Sequence, residues 1–274
     1  MKKLLIIISP LYPILFLISV VAIIVSCVIS NDMPEPKDLD PRLQMEPVQR
    51  PTDAKRFNHK AGGVEYYIQP LYSYELYGLV VSRHTAGENF FDRAHKRWGD
   101  NLNTTDLCVV WGKNALSGVY KDMTFTSGEW TCFWNAKNGN WYSVADRFEP
   151  NEGSNNHMLI ANKRVAQTLN DIRIGDQIYF KGYLAEYGTA GRMIRSTSTT
   201  RTDTGNGACE TVFTTDIRIL KPAARTWDYV FWAGLFGIVL VFILWVLTPA
   251  RQLFEVVEFR EESLYARQRR IRRR

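Results

Sequence analysis

Tyr229–Leu247, YVFWAGLFGIVLVFILWVL, runs for nineteen residues without an Asp, Glu, Lys, Arg or His. At about 1.5 Å of rise per residue a helix of that length reaches roughly 28 Å, close to the roughly 30 Å hydrocarbon core of a bilayer. A helix satisfies its own backbone hydrogen bonds in lipid, so the stretch predicts a transmembrane span; a buried core helix is normally shorter and carries some polar residues. Trp227, Tyr229 and Trp232 at one end and Trp245 at the other sit where interfacial aromatic residues anchor such a span, and Pro249 ends it.

A second apolar stretch opens the chain: Leu4–Ile29 carries no charged residue and comes after Lys2 and Lys3. As an uncleaved signal anchor it is long enough to span, with Pro10 and Pro13 only kinking its start. As a lipoprotein signal, its Ile24-Val25-Ser26-Cys27 resembles a lipobox in which Cys27 is lipidated after cleavage. The run is longer than the roughly 7–15-residue core of a cleaved signal, which favours the anchor; both readings put the domain on the same side of the membrane. The expected organisation is a transmembrane helix or signal anchor over 1–30, a proline-rich tether over 31–60, a β-rich domain over 61–222, a second span over 227–249 and a basic tail over 250–274.

Charge placement orients the chain. Beyond Ala250, eight Arg and four Glu give +4, and Lys2 and Lys3 account for the rest of the net +6, so everything between is formally neutral. Nucleic-acid binding by the domain is therefore not expected. Positive charge instead brackets both apolar stretches, which by the positive-inside rule places both termini in the cytoplasm and residues 31–226 outside. The terminal RQRRIRRR then meets anionic lipid headgroups, at about 1 kcal/mol per basic residue. Cys108, Cys132 and Cys209 lie in the domain, where an oxidising compartment permits one disulfide and leaves one thiol over. Cys108 and Cys132 sit in strand-like runs and are the expected pair, although spacing alone allows three pairings. No C-x-x-C occurs, which argues against a zinc knuckle or a thioredoxin-type site.

Between the spans, Asn31–Thr52 holds prolines at 34, 36, 41, 47 and 51, too dense for a helix or a sheet interior, and reads as an extended tether. Strand patterns occur at Tyr72–Val81, Leu107–Trp111, Glu129–Trp134, Gln177–Ala185 and Glu210–Leu220, with helices expected at Asn89–Trp98 and Asn162–Leu169. Asn135–Glu152, rich in Asn and Gly, reads as a loop. Strands outnumber helices without regular β-α-β alternation, so the expected fold is α+β: two transmembrane helices flanking a mainly antiparallel, barrel-like domain. The phrase G-D-x-I-x-F-x-G-x-L at 175–184 suits a curved strand of a small OB-type barrel, with Gly182 permitting the bend.

The densest polar cluster is Ser196–Glu210, STSTTRTDTGNGACE. Arg201 there can pair with a carboxylate or phosphate, while the bland alternative bridges it to Asp203 or Glu210 and stiffens a hairpin. Ser154-Asn155-Asn156-His157 is the second candidate, His157 as a base with Asn156 orienting it or a substrate carbonyl, or else as a structural donor at a loop-to-helix junction. His84, Glu88, Asp92 and His95 form a third group, in which no metal site is expected. No G-x-S-x-G, P-loop, G-x-G-x-x-G or H-E-x-x-H is present, and no cofactor is implied.

Asp106-x-x-Val109-x-Trp111-Gly112, Ser154-x-Asn156-His157 and Ser198-x-x-Arg201-x-Asp203-Thr204-Gly205-x-Gly207-Ala208-Cys209-Glu210 together resemble a bacterial family of secreted or membrane-anchored proteins to which no activity attaches. The resemblance covers about residues 72–220 and implies a periplasmic setting, with the spans in the inner membrane. Two functions are then expected to compete. One is a binding module in an envelope assembly, contacting a protein or envelope component through Ser198, Arg201, Asn156 and Trp111 or through an aromatic patch from Trp134, Trp141 and Tyr142. The other is a hydrolase of envelope polymers or phosphoesters, with His157 as base, Arg201 as anion clamp and Asp203 or Glu210 as second acid or base or as a metal ligand. The hydrolase requires His157 and the Arg201–Glu210 loop to converge.

Overall fold

Val64–Thr85, strand β3, is twenty-two residues rich in aromatic and β-branched side chains, and its length sets the architecture. Alternate residues are buried through its first half, whereas Leu79–Ser82 are buried on both faces. The computed structural model describes residues 7–29, 33–86, 100–128, 130–203, 205 and 208–248. They fall into two units, Asp32–Ala224 and the pair formed by Met1–Asn31 with Arg225–Arg274.

In the larger unit, β1 (Val48–Pro51), β2 (Phe57–Ala61), β4 (Asn103–Val110) and β8 (Gln177–Thr189) all pair with β3, antiparallel. From β4 the ladder runs through β7 (Gly153–Ile160) and β10 (Glu210–Lys221) to β8, whose edge carries β9 (Arg192–Arg195). Because β8 also pairs with β3, the sequence of pairings β3-β4-β7-β10-β8 returns to its start. Among the described residues, only β7 and β10 run parallel. The unit is thus mixed α+β with a mostly antiparallel sheet. A separate hairpin joins β5 (Met123–Gly128) to β6 (Thr131–Ala136), and a short helix α2 (Gly112–Leu116) comes after β4.

One sheet face carries Leu76, Leu107, Val109, Trp111, Met158, Phe180 and Val212. Onto it packs α3 (Lys163–Asp171), the connection from β7 to β8, through Val165 and Leu169, with Ile172 just beyond its end. The start of α3 is fixed by Asn162, whose side-chain oxygen accepts the Val165 N–H at 3.0 Å. Each such apolar side chain contributes about 1.5–3 kcal/mol on burial. A second cluster on the other face centres on Leu79, Cys108 and Val110, and a third on Tyr66, Leu159 and Tyr187. Cys108 is bonded to Cys132 of the β5–β6 hairpin, with Cα atoms 6.0 Å apart.

The proline-rich segment is not a free tether. Proline is unsuited to regular interiors but starts 3₁₀ turns well, and Pro36–Asp38 and Pro41–Gln44 are such turns. Leu43 enters the second apolar cluster and is 1% exposed. Tyr120 donates its hydroxyl to the Pro34 carbonyl at 2.8 Å, and Gln177 accepts the Asp40 N–H at 2.5 Å. The folded unit therefore begins well before residue 61.

The smaller unit holds α1 (Tyr12–Ile29) and α4 (Thr226–Leu247), which contact one another. Each lies within a helix long and apolar enough to cross a membrane. Small residues let the backbones approach: a methyl group placed at Gly237 would stand 2.2 Å from Ser19 Oγ. The helix expected at Asn89–Trp98 and the basic tail after Ala250 lie outside the described residues.

Candidate functional site

Strand β7 carries two polar sites, one on each face. Asn156 pairs in register with Leu107 of β4 and Glu210 of β10, and His157 with Asp106 and Thr211. Successive side chains on a strand point to opposite faces, so Asn156 and Glu210 share one side while His157 and Asp106 share the other.

On the first face, Arg201 Nη1 donates to Glu210 Oε1 at 2.6 Å and to the Tyr74 hydroxyl at 3.4 Å. The guanidinium carbon also lies 5.0 Å from the centre of the Trp111 ring. Trp111 Nε1 donates to Glu46 of the proline-rich segment at 3.3 Å. Asn156 is held by its own strand and by β4, donating to Ser154 Oγ at 2.9 Å and to the Leu107 carbonyl at 3.3 Å. Ser198 donates to Asp203 at 2.6 Å and accepts the Thr200 N–H at 3.1 Å, which closes a local turn. Burial, aided by the negative charge of Asp203, pushes the Glu210 carboxyl up to about 7, against the pull of Arg201. Burial likewise raises the Tyr74 phenol, and the Glu210 charge adds to it. Of these contacts, sequence analysis anticipated the bridge from Arg201 to Glu210, with Asp203 as the alternative partner; it expected Asn156, Trp111 and Ser198 as binding residues without linking them to that bridge. It missed Tyr74 and Glu46, which come from distant segments.

On the second face, His157 lies inside β7 and not at a loop-to-helix junction. The run of Asn and His imitates a loop because its polar groups are paired across strands, a relation that local composition does not carry. His157 Nδ1 is 2.7 Å from Asp106 Oδ1, and the two side chains are 0% and 1% exposed. A carboxylate only accepts, so Nδ1 carries the proton and Nε2 is left as the acceptor of the neutral ring. Burial works to lower the His157 pKa, but the Asp106 carboxylate and the Cys209 side chain hold it above its ordinary value. For Asp106, burial opposes the charged form, and the charge and hydrogen bond of His157 hold the carboxyl below its usual range. Asp106 opens the D-x-x-V-x-W-G motif, yet nothing in the sequence linked it to a histidine 51 positions away.

His157 therefore does not converge with Arg201 and Glu210; the sheet separates them. The hydrolase constellation of His157, Arg201 and Asp203 or Glu210 is not assembled. Glu88, Asp92 and His95 lie outside the described residues. Among the described residues, no cluster of three His, Cys, Asp or Glu side chains suits a metal ion.

Compared with protein-family models, curated proteins and solved structures, the chain matches none.

Proposed function

We propose that the chain is a membrane-anchored, extracytoplasmic binding module that docks a protein of an envelope assembly. In this reading α1 and α4 span the inner membrane of a bacterium with both termini cytoplasmic, supported by the bracketing positive charge. The Cys108–Cys132 bond fits an oxidising compartment such as the periplasm. The returning ladder with one helix between β7 and β8 is an OB-type barrel, its interior filled by the Trp111 and Phe180 cluster.

The observation that carries the binding role is the exposed aromatic surface. Tyr142 is 96% exposed and Trp141 42%, a large apolar area to leave in water. It is held in place, since Trp141 packs on Phe148 at 6.4 Å between ring centres. Trp134, expected in the same patch, instead turns partly inward against Phe148 at 5.5 Å. Tyrosine and tryptophan supply contact area at low entropic cost, as protein interfaces require. Arg201 is less suited to recognition because its charge is already paired with Glu210.

A photo-crosslinking residue at position 142 in intact cells tests this. A discrete protein adduct is expected, diminished by Trp141→Ala. Crosslinks to lipid alone, or none from 142 while buried controls behave alike, would reject the docking role.

A further inference from the structure

Cys209 precedes β10 and falls, by continuation of the β7–β10 register, opposite Asn155. Its thiol confirms the placement: Asn155 Nδ2 donates to Cys209 Sγ at 3.7 Å. Cys209 and His157 are then diagonal neighbours on one face, a separation side chains can close. Trp130 joins them, since its carbonyl accepts from Cys209 Sγ at 3.7 Å and its ring centre lies 5.8 Å from that of His157. Asp106 holds Nδ1, so Nε2 points away from the carboxylate; it is fully buried and has no hydrogen-bond partner. Burying an acceptor without a partner destabilises the fold, which is tolerated where the group has a task. Cys209 itself is a free, half-exposed thiol.

We propose that Cys209, His157 and Asp106 form a thiol–imidazole–carboxylate relay that accepts an acyl group from an ester or thioester, with the Asn155 amide facing the oxyanion. Disulfide exchange needs only a thiolate, whereas an orienting carboxylate and an amide donor beside the sulfur are what an attacked carbonyl requires. The Cys209 thiol turns from the Trp130 carbonyl and gives its proton to His157 Nε2 as Sγ bonds to the acyl carbon. The carbonyl oxygen takes the electron pair and the hydrogen bond of Asn155. Collapse breaks the bond to the leaving alcohol or thiol, which receives the proton from His157. Water or an acceptor then repeats the sequence in reverse: it gives a proton to His157, attacks the S-acyl carbon and returns the Cys209 thiol. The raised proton affinity of His157 suits the first transfer. The other charged group that acts there is Arg195 of β9, over the Trp130 ring at 5.0 Å, and the titratable His84 of β3 pairs in register with Asp106.

The test uses the full chain in detergent, p-nitrophenyl acetate as acyl donor, and mass spectrometry to locate the adduct. A single acetyl group on Cys209 is expected, formed about 100-fold faster than on N-acetylcysteine at the same pH. Cys209→Ala abolishes it, and His157→Gln slows it about 100-fold. Asp106→Asn, a positioning change, shifts the pH profile as well as the rate. Acylation of Cys209 no faster than of the free thiol overturns the relay and is read on the unaltered protein, so it does not depend on the variants folding. A disulfide adduct with 5,5′-dithiobis(2-nitrobenzoate) but no acetyl adduct also overturns it, leaving Cys209 as a redox thiol.

Discussion

Asn156 and Glu210 are register partners on the parallel strands β7 and β10, and this one pairing puts Glu210 and His157 on opposite faces of the same sheet. Two buried ionic sites thus sit back to back with no shared partner, Arg201–Glu210 on one side and Asp106–His157 on the other. Their energetics should be independent. Asp106→Asn removes the charge facing His157 and is expected to cost about 1–3 kcal/mol. Combined with Glu210→Gln, its effect should add to within about 0.5 kcal/mol. Urea unfolding of both single variants and the double variant measures this; a coupling well above that figure would mean that the two sites communicate through the strand.

Stability should fall as pH rises from about 4.5 to about 7. The Glu210 carboxyl is held at about 7 in the fold against an ordinary value of 4.5, so over that interval the folded state binds more protons than the unfolded chain. Unfolding then releases protons, and the stabilisation present below 4.5 is lost progressively as Glu210 ionises beside Asp203. The difference amounts to about 3 kcal/mol over the window. Thermal unfolding of Glu210→Gln between pH 4 and 8 should lose this slope. An unchanged slope in the variant would place the titration elsewhere.

How far the sequence foretold this arrangement depended on whether the controlling relation was local. The strand at Gln177–Ala185 and the helix after Asn162 announce themselves by alternation and by the i, i+4, i+7 spacing of Val165, Leu169 and Ile172, and both are found, the strand running on to Thr189. Arg201 and Glu210 lie nine positions apart in one polar loop, so their pairing was legible as well. Asp106 and His157 meet only because β4 and β7 adopt one register of several, and a shift by one residue would send them to opposite faces. Nothing local fixes that register. The proline-rich segment misled for a related reason, since proline density reports which structures are excluded, not whether a buried Leu43 anchors the remainder.

Breaking the Cys108–Cys132 bond should destabilise the larger unit by about 3 kcal/mol. The bond joins strand β4 to the β5–β6 hairpin across a separation of 24 residues, and a cross-link of that span restricts the unfolded chain by about that much. Cys132→Ser tests it by the change in thermal midpoint with and without reductant. The midpoint of the variant should no longer respond to reductant, because the bond that reductant breaks is gone. A variant still sensitive to reductant would show that the freed Cys108 or Cys209 has entered a new bond.

Leu43 provides the test of whether residues 33–60 belong to the folded unit. Its side chain packs with Leu79, Val110 and Tyr120, and Tyr120 is itself tied to Pro34, so the segment closes one end of an apolar cluster. Truncation of a buried leucine removes those contacts and leaves a cavity, so Leu43→Ala should cost about 2–5 kcal/mol in urea unfolding. Met45, two residues on and 49% exposed, is the internal control; Met45→Ala should change stability by less than about 0.5 kcal/mol. A free tether would make both substitutions silent. A large Leu43 effect beside a negligible Met45 effect means that any soluble fragment beginning at residue 61 lacks part of its own core, and that such a fragment should unfold at lower urea than one beginning at residue 33.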